Sequence, residues 1–193
     1  PATTEIYPLS LHDALPICDN CCSEIYCTPN KLQPELIVEE GVSQRAILYY
    51  YNMYANDPSA KDYTDSLDIF LIANGEKEGD REAARKAFST FGEVAGYTIA
   101  QCVTILDGII VLGGGLSKSH TLFMPALLRE LRAQMSTRSG QTLPRVPSYV
   151  YNLEDEAEFA EFVKGEQRAI PLYGTDETIL CDTQKRLGII TSH

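Results

Sequence analysis

Residues 80–120 read DREAARKAFSTFGEVAGYTIAQCVTILDGIIVLGGGLSKSH. Over 80–106, apolar side chains recur at spacings of three and four residues, which predicts one long core helix with Asp80 as its N-cap. Gly92 and Gly96 lie one turn apart on this helix, and each costs about 1 kcal/mol of helix propensity relative to alanine. We therefore expect another element to approach the helix closely at these two positions. The apolar stripe consists of Ala84, Ala87, Phe88, Phe91, Ala95, Ile99, Cys102, Val103 and Leu106.

The glycine-rich end of this stretch predicts a strand and a candidate ligand site. Its β-favouring apolar residues are too few for a helix and run into Gly113, Gly114 and Gly115, which predicts a buried strand, a glycine turn and a following helix. Ligands of open α/β sheets bind beyond the carboxyl ends of strands, and glycines there let backbone N–H groups approach a nucleotide. The spacing matches neither a Walker loop nor the dinucleotide motif G-x-G-x-x-G. The alternative is a tight turn that close packing of strand and helix requires.

The remaining sequence alternates between helical and strand patterns. A stop at Asn74-Gly75 ends one helix, and Pro125 fits the first turn of another. This order predicts an α/β fold in which helices cover a sheet. The predicted helices cover 41–56, 66–73, 124–135 and 154–164; the predicted strands lie within 146–153, 168–182 (two short strands around Gly174-Thr175) and 186–193.

Composition narrows the classes of protein that fit. The chain has 193 residues, of which 44% are apolar, and a formal charge of −11. It is long enough for one large domain or one lobe of a larger protein. The apolar runs fall short of the roughly 18 residues that a membrane helix needs, and the negative charge disfavours nucleic-acid binding by this segment. Without a signal peptide, the six cysteines favour a reducing cytoplasm.

Residues 2–17, ATTEIYPLSLHDALPI, resemble the in-frame translation of a sequencing-library adapter. The adapter encodes ATTEIYTLSLHDALPI, so Pro8 is the single difference. We therefore interpret residues 1–17 as a non-native, adapter-derived segment and exclude them from the functional interpretation. The adapter's last base can also supply the first base of the codon for Cys18, whose native residue is then Gly, Arg or Ser.

The native part of the chain opens with a loop rich in cysteine. Cys21, Cys22 and Cys27 are candidate zinc thiolates, although fewer than four ligands are present and free thiols are the alternative. Glu24 is a candidate partner for a sugar hydroxyl or a helix N-terminus, and otherwise a solvated carboxylate. His120 is a candidate phosphate contact or a helix cap. The acidic run 154–161 is typical of a solvated helix face, and Cys102 and Cys181 of core positions.

These residues together resemble the ROK family of repressors, open reading frames and sugar kinases. The run Cys22-Ser23-Glu24-Ile25-Tyr26-Cys27 is similar to the end of the family signature C-x-C-G-x-x-G-C-x-E, with Cys22 on its last zinc cysteine and Glu24 on its sugar-contacting glutamate. Position 18 falls on the signature's first glycine, which agrees with the adapter interpretation of Cys18. Cys21 departs from the pattern, because the family has glycine there. The stretch IIVLGGGLS, 109–117, resembles the family's nucleotide-contacting segment.

The resemblance implies a fold and a division of the chain. The fold is the actin-like, hexokinase-type ATPase fold, which is ribonuclease H-like and has two lobes around a cleft. Residues 18–193 then form an incomplete C-terminal lobe, in which 18–30 are the remnant of the zinc and sugar loop. Cys22 alone cannot hold zinc, because one thiolate does not complete a tetrahedral shell.

The resemblance also implies an activity. The parent protein is expected to be a cytoplasmic, homodimeric, glucokinase-like enzyme that transfers the γ-phosphoryl group of ATP to a hexose or N-acylhexosamine, with Mg²⁺ and a structural Zn²⁺. Glu24 would hold the sugar and Gly113, Gly114 and Gly115 would line the nucleotide cleft. The catalytic aspartate is expected upstream, so the fragment is expected to be inactive. A sugar-sensing ROK-type transcriptional repressor is the alternative.

Overall fold

The computed structural model describes residues 25–56, 58–106, 108–165 and 168–192. The helices are α1 (Glu39–Val42), α2 (Gln44–Tyr54), α3 (Ser66–Asn74), α4 (Arg81–Val103), α5 (His120–Leu131) and α6 (Glu156–Lys164). Short 3-10 helices cover Pro58–Asp62 and Gly115–Ser119. The strands are β1 (Ile110–Leu112), β2 (Gln134–Ser136), β3 (Thr142–Pro144), β4 (Tyr149–Asn152), β5 (Arg168–Pro171), β6 (Thr178–Cys181) and β7 (Arg186–Thr191). The α/β fold predicted from the sequence is confirmed.

A parallel sheet of three strands, in the order β1-β7-β4, forms the base of the fold. Its central strand is β7, where Ile110 of β1 pairs with Ile189 and Tyr149 of β4 pairs with Arg186. Ile189 is fully buried. Two antiparallel pairs, β2-β3 and β5-β6, stand apart from this sheet.

The helices pack into one hydrophobic core that continues to the sheet. Tyr51 of α2, Ile72 of α3, Phe88 of α4 and Leu127 of α5 are each fully buried in it. Asp80 caps α4 by accepting a hydrogen bond from the backbone N–H of Ala83 at 3.0 Å, as the sequence predicts. Of the helices in the described ranges, none combines the length and the apolarity that a bilayer crossing needs.

The close approach predicted at the two glycines of α4 is confirmed, and the approaching element is α5. A Cβ atom on Gly92 would overlap the carbonyl oxygen of Phe123, and one on Gly96 would lie 2.5 Å from the carbonyl oxygen of Leu127. Phe91 and Phe123 contact edge to face beside this crossing, with ring centroids 5.2 Å apart. Glycine is therefore required at both positions for the two helix backbones to meet.

The bounds predicted for the helix over 124–135 are wrong at both ends. It begins at His120, directly after a 3-10 turn, so Pro125 lies inside the helix and not in its first turn. It ends at Leu131, and the half-exposed Met135 lies in a strand instead. Gln134–Ser136 instead pairs with Thr142–Pro144 in a hairpin whose turn contains Gly140 at φ +84°.

We expect Gly92→Ala to lower the free energy of unfolding by about 2 kcal/mol, because a backbone carbonyl cannot move aside as a side chain can. Urea denaturation followed by circular dichroism measures this change. The control is Gln101→Ala, an exposed position on the same helix, which should change stability by less than about 0.5 kcal/mol. Equal stability of Gly92→Ala and the unsubstituted chain would contradict the packing described.

Candidate functional site

Gly113, Gly114 and Gly115 follow directly after β1 and are exposed. They lie at the carboxyl edge of the parallel sheet, where Leu112 pairs with Thr191 and its carbonyl oxygen accepts the Ser192 N–H at 2.9 Å. The glycines therefore lie beyond the carboxyl end of a strand, as the sequence predicts. It is the edge at which open α/β sheets bind ligands.

The backbone of the glycine segment has a conformation that only glycine adopts readily. Gly114 has φ +89° and ψ 178°, and a Cβ there would meet no atom within 4 Å. The space over this residue is therefore open, and the requirement for glycine comes from the backbone angles. A Cβ on Gly115 would lie 3.7 Å from the amide nitrogen of Gln44, an ordinary contact.

Hydrogen bonds from the following turn hold the glycine segment in place. The carbonyl oxygen of Gly114 accepts the backbone N–H of Ser117 at 3.1 Å and the hydroxyl of Ser117 at 2.7 Å. Nδ1 of His120 lies 3.0 Å from the carbonyl oxygen of Ser117. His120 is the first residue of α5 and contacts the preceding turn through a carbonyl oxygen, so the prediction that its side chain caps the helix is wrong.

A cavity of about 220 Å³ lies beside Gly115. Four separate parts of the chain form it: the start of α2, α3, α4 and the 3-10 turn after the glycines. Phe70 and Phe88 contact each other edge to face at the cavity, with ring centroids 6.4 Å apart. The residues that line it are Gln44, Asp65, Ser66, Leu67, Phe70, Phe88, Gly115, Leu116, Lys118 and Ser119.

Sequence reasoning missed Gln44 and Ser66 as site residues. Both lie at the first position of a helix, Gln44 after the cap Ser43 and Ser66 after the cap Asp65. Capping patterns locate these helix starts in the sequence, but no pattern indicates that the two starts meet at Gly115.

The predicted sugar and metal residues, Glu24 and Cys22, lie outside the described residues, as do the adapter-derived segment 1–17 and most of the loop 18–30. Within the described ranges, there is no group of three or more His, Cys, Asp or Glu side chains that could hold a metal ion. The zinc site therefore stays a prediction from the family resemblance.

The segment that follows position 24 is anchored to two core helices. The bridge between Pro29 and Ile37 folds it back on itself. Lys31 Nζ then donates to Glu93 on α4 and to Glu130 on α5, each at 2.7 Å. Burial lowers the pKa of the Lys31 ammonium group, but the hydrogen bonds to the two carboxylates outweigh burial and raise it above its ordinary value. The ion cluster thus anchors the segment around Lys31 to α4 and α5.

The three described cysteines, Cys27, Cys102 and Cys181, are free thiols. Cys27 is exposed, and the other two are only partly buried. The prediction that Cys102 and Cys181 are core residues is therefore correct only in part. Burial raises the pKa of the Cys102 thiol, which keeps it protonated near neutral pH.

The acidic run is not simply a solvated helix face. Glu154 accepts the backbone N–H of Thr191 at 2.6 Å and also the Thr191 hydroxyl. Glu158 accepts the backbone N–H of Asn152 at 2.7 Å and pairs with Arg132. Glu154 therefore fixes the end of β7 beside the glycine segment. The sequence does not reveal this role, because it depends on a residue 37 positions away.

The described elements form an α/β fold with an exposed glycine segment at the carboxyl edge of its parallel sheet. The structure is similar to the crystal structure, at 3.00 Å resolution, of a glucokinase from Parabacteroides distasonis ATCC 8503. The TM-score is 0.75 and the sequence identity is 38%, over 87% of this chain and 44% of that glucokinase. This chain thus spans less than half the length of the glucokinase, and its fold is that of part of a sugar kinase. No protein-family model and no curated protein matches the chain.

We expect Gly114→Ala to lower the free energy of unfolding by about 1–3 kcal/mol, because alanine is strained at this φ and ψ. Gly115→Ala is the matched control one residue away, where a Cβ has room; it should change stability by no more than about 0.5 kcal/mol. Thermal unfolding of both variants measures the difference. Equal losses at the two positions would contradict the backbone geometry.

Proposed function

We propose that this chain is the nucleotide-binding part of an ATP-dependent sugar kinase that phosphorylates a hexose or an N-acylhexosamine. The observation that carries this proposal is the position of Gly113, Gly114 and Gly115. They are exposed at the carboxyl edge of a parallel sheet, next to a cavity, in a chain whose fold matches part of a glucokinase.

The finer form of the proposal assigns the parent protein to the ROK family, with a glucokinase-like activity and an actin-like, hexokinase-type fold. Residues 18–193 are then most of its C-terminal lobe. The signature-like run from Cys22 to Cys27 and the stretch 109–117 support this assignment. In this proposal Glu24 holds the sugar, Cys22 supplies one of the zinc ligands of the parent, and the parent is a cytoplasmic homodimer.

The geometry fits a nucleotide whose base enters the cavity and whose phosphates stay over the glycines. A volume of about 220 Å³ is below the 300–1,000 Å³ of sites that enclose a whole ligand of drug size. The open space over Gly114 leaves room for the phosphates, since no side chain covers its backbone. Bound Mg²⁺ would neutralise phosphate charge, which matters for a chain with a formal charge of −11.

We expect the chain to bind a nucleotide without catalysing phosphoryl transfer. Nothing in the resemblance places the catalytic aspartate of a sugar kinase within residues 18–193. Binding and phosphoryl transfer are therefore separable measurements, the first on this chain and the second on its full-length parent.

Titration with a fluorescent 2′/3′-N-methylanthraniloyl (mant) derivative of ADP, in the presence of Mg²⁺, tests nucleotide binding. We expect saturable binding that unlabelled ATP competes away. Gly115→Leu places a branched side chain at the cavity and should weaken binding by at least about tenfold, as loss of a buried contact does. The control is Gln141→Leu on the exposed β2-β3 hairpin, which should bind like the unsubstituted chain.

Two results would overturn the proposal. The first is an absence of nucleotide binding by a chain that circular dichroism shows to be folded. The second is a full-length parent that releases no ADP from ATP with any common hexose. Operator binding by that parent through a helix-turn-helix segment would favour the repressor alternative.

A further inference from the structure

The strand that leads into the glycine segment is short and has few partners. β1 has three residues, and within the described ranges it pairs with β7 alone. Val111 at its centre is 60% exposed, so this side chain adds little packing to hold the strand. A backbone hydrogen bond directly before Gly113 joins the Ser192 N–H to the carbonyl oxygen of Leu112, at 2.9 Å. The position of the glycine segment therefore depends on where the end of β7 lies.

The end of β7 is in turn held by one carboxylate. Glu154 accepts the backbone N–H of Thr191 at 2.6 Å and also the hydroxyl of the same residue. Thr191 is 4% exposed and pairs with Leu112 in the parallel register. Hydrogen bonds to a carboxylate are stronger than those between neutral groups, and a buried N–H that loses its acceptor is costly. The two bonds thus hold Thr191 and the following Ser192 against β1.

Ser192 connects this arrangement directly to the glycine segment. A Cβ atom on Gly113 would lie 3.4 Å from the hydroxyl oxygen of Ser192, so the two residues lie side by side at the carboxyl edge of the sheet. A ligand that binds over an ordered backbone loses less free energy to ordering than one that must first order it. Loss of the contact that holds β7 would therefore weaken binding without removing any group that touches the ligand.

We propose that Glu154 is a positioning residue for the nucleotide site and that it acts on the glycine segment through Thr191. The inference rests on the proposed nucleotide-binding function and extends it to a residue of the acidic run. Glu154 does not line the cavity beside Gly115. Its effect on nucleotide binding is therefore indirect, through the order of the strand ends.

Glu158 provides a matched control, because it holds a neighbouring strand end in the same way. It accepts the backbone N–H of Asn152, the last residue of β4, at 2.7 Å and pairs with Arg132. In the order β1-β7-β4, β7 separates β4 from β1. Removing the Glu158 carboxylate should therefore loosen the sheet without reaching the glycine segment.

Titration of the whole 193-residue chain with the mant derivative of ADP and Mg²⁺ tests the inference, at a temperature where circular dichroism shows the variants to be folded. We expect Glu154→Ala to weaken binding by about five- to tenfold, within the range by which residues remote from a ligand alter affinity. Glu158→Ala should bind like the unsubstituted chain. Glu154→Gln should bind nearly as tightly, because its amide oxygen can accept both hydrogen bonds from Thr191.

Hydrogen exchange provides a second readout that does not depend on the ligand. Exchange of the Ser192 N–H, which is bonded to Leu112, should be at least about tenfold faster in Glu154→Ala, as local opening of a strand end allows. Glu158→Ala should leave this rate unchanged. Thr191→Val removes only the hydroxyl and keeps a strand-favouring side chain. It should also weaken nucleotide binding, which keeps the test decisive even where Glu154→Ala does not fold.

The outcomes separate this inference from the proposed function. Equal nucleotide affinities of Glu154→Ala and Glu158→Ala overturn the positioning role and leave nucleotide binding intact. Tighter binding by Glu154→Gln has the same consequence, because it would mean that the carboxylate repels the phosphates. No binding of the mant derivative by the folded, unsubstituted chain overturns both.

Discussion

The contact between α4 and α5 at Gly92 and Gly96 is the constraint on which the rest of the structure depends. The two backbones meet so closely that a Cβ at either position would collide with a carbonyl oxygen of α5. This contact fixes the position of α5 along α4. Because the glycine segment runs through a 3-10 turn directly into α5, it also fixes where Gly115 lies relative to Phe88, which α4 contributes to the cavity.

The proposed nucleotide site is therefore a product of packing among elements that are distant in sequence. The glycine segment lies at the carboxyl edge of the sheet. There, the hydrogen bond from Thr191 to Glu154 holds the end of β7 next to the glycines. Two helix starts supply the polar groups Gln44 and Ser66. Beside α4, these starts border a cavity that is lined by both apolar and polar side chains.

Sequence periodicity was sufficient to predict α4, its cap Asp80 and the existence of the strand before the glycines, because each of these depends on residues within a few turns of chain. The prediction that this strand is buried is wrong, since Val111 at its centre is 60% exposed. It failed at α5, because residues 134–136 pair with 142–144 in a hairpin and local propensity does not reveal this pairing. The roles of Ser66 and Glu154 were also beyond local reasoning, since their surroundings come from residues far away in the sequence. Glu24 and Cys22 were proposed from the family resemblance, and the described residues do not include them.

In the proposed function, a nucleotide binds over the glycine segment with its base beside α3. The most direct measurement is a ¹⁵N–¹H correlation spectrum of the chain recorded with and without ATP and Mg²⁺. We expect the largest shifts at Gly113, Gly114, Gly115 and Ser66, while the β5-β6 pair, which forms a separate sheet, stays unchanged. Shifts that spare the glycine segment and cluster elsewhere would contradict it.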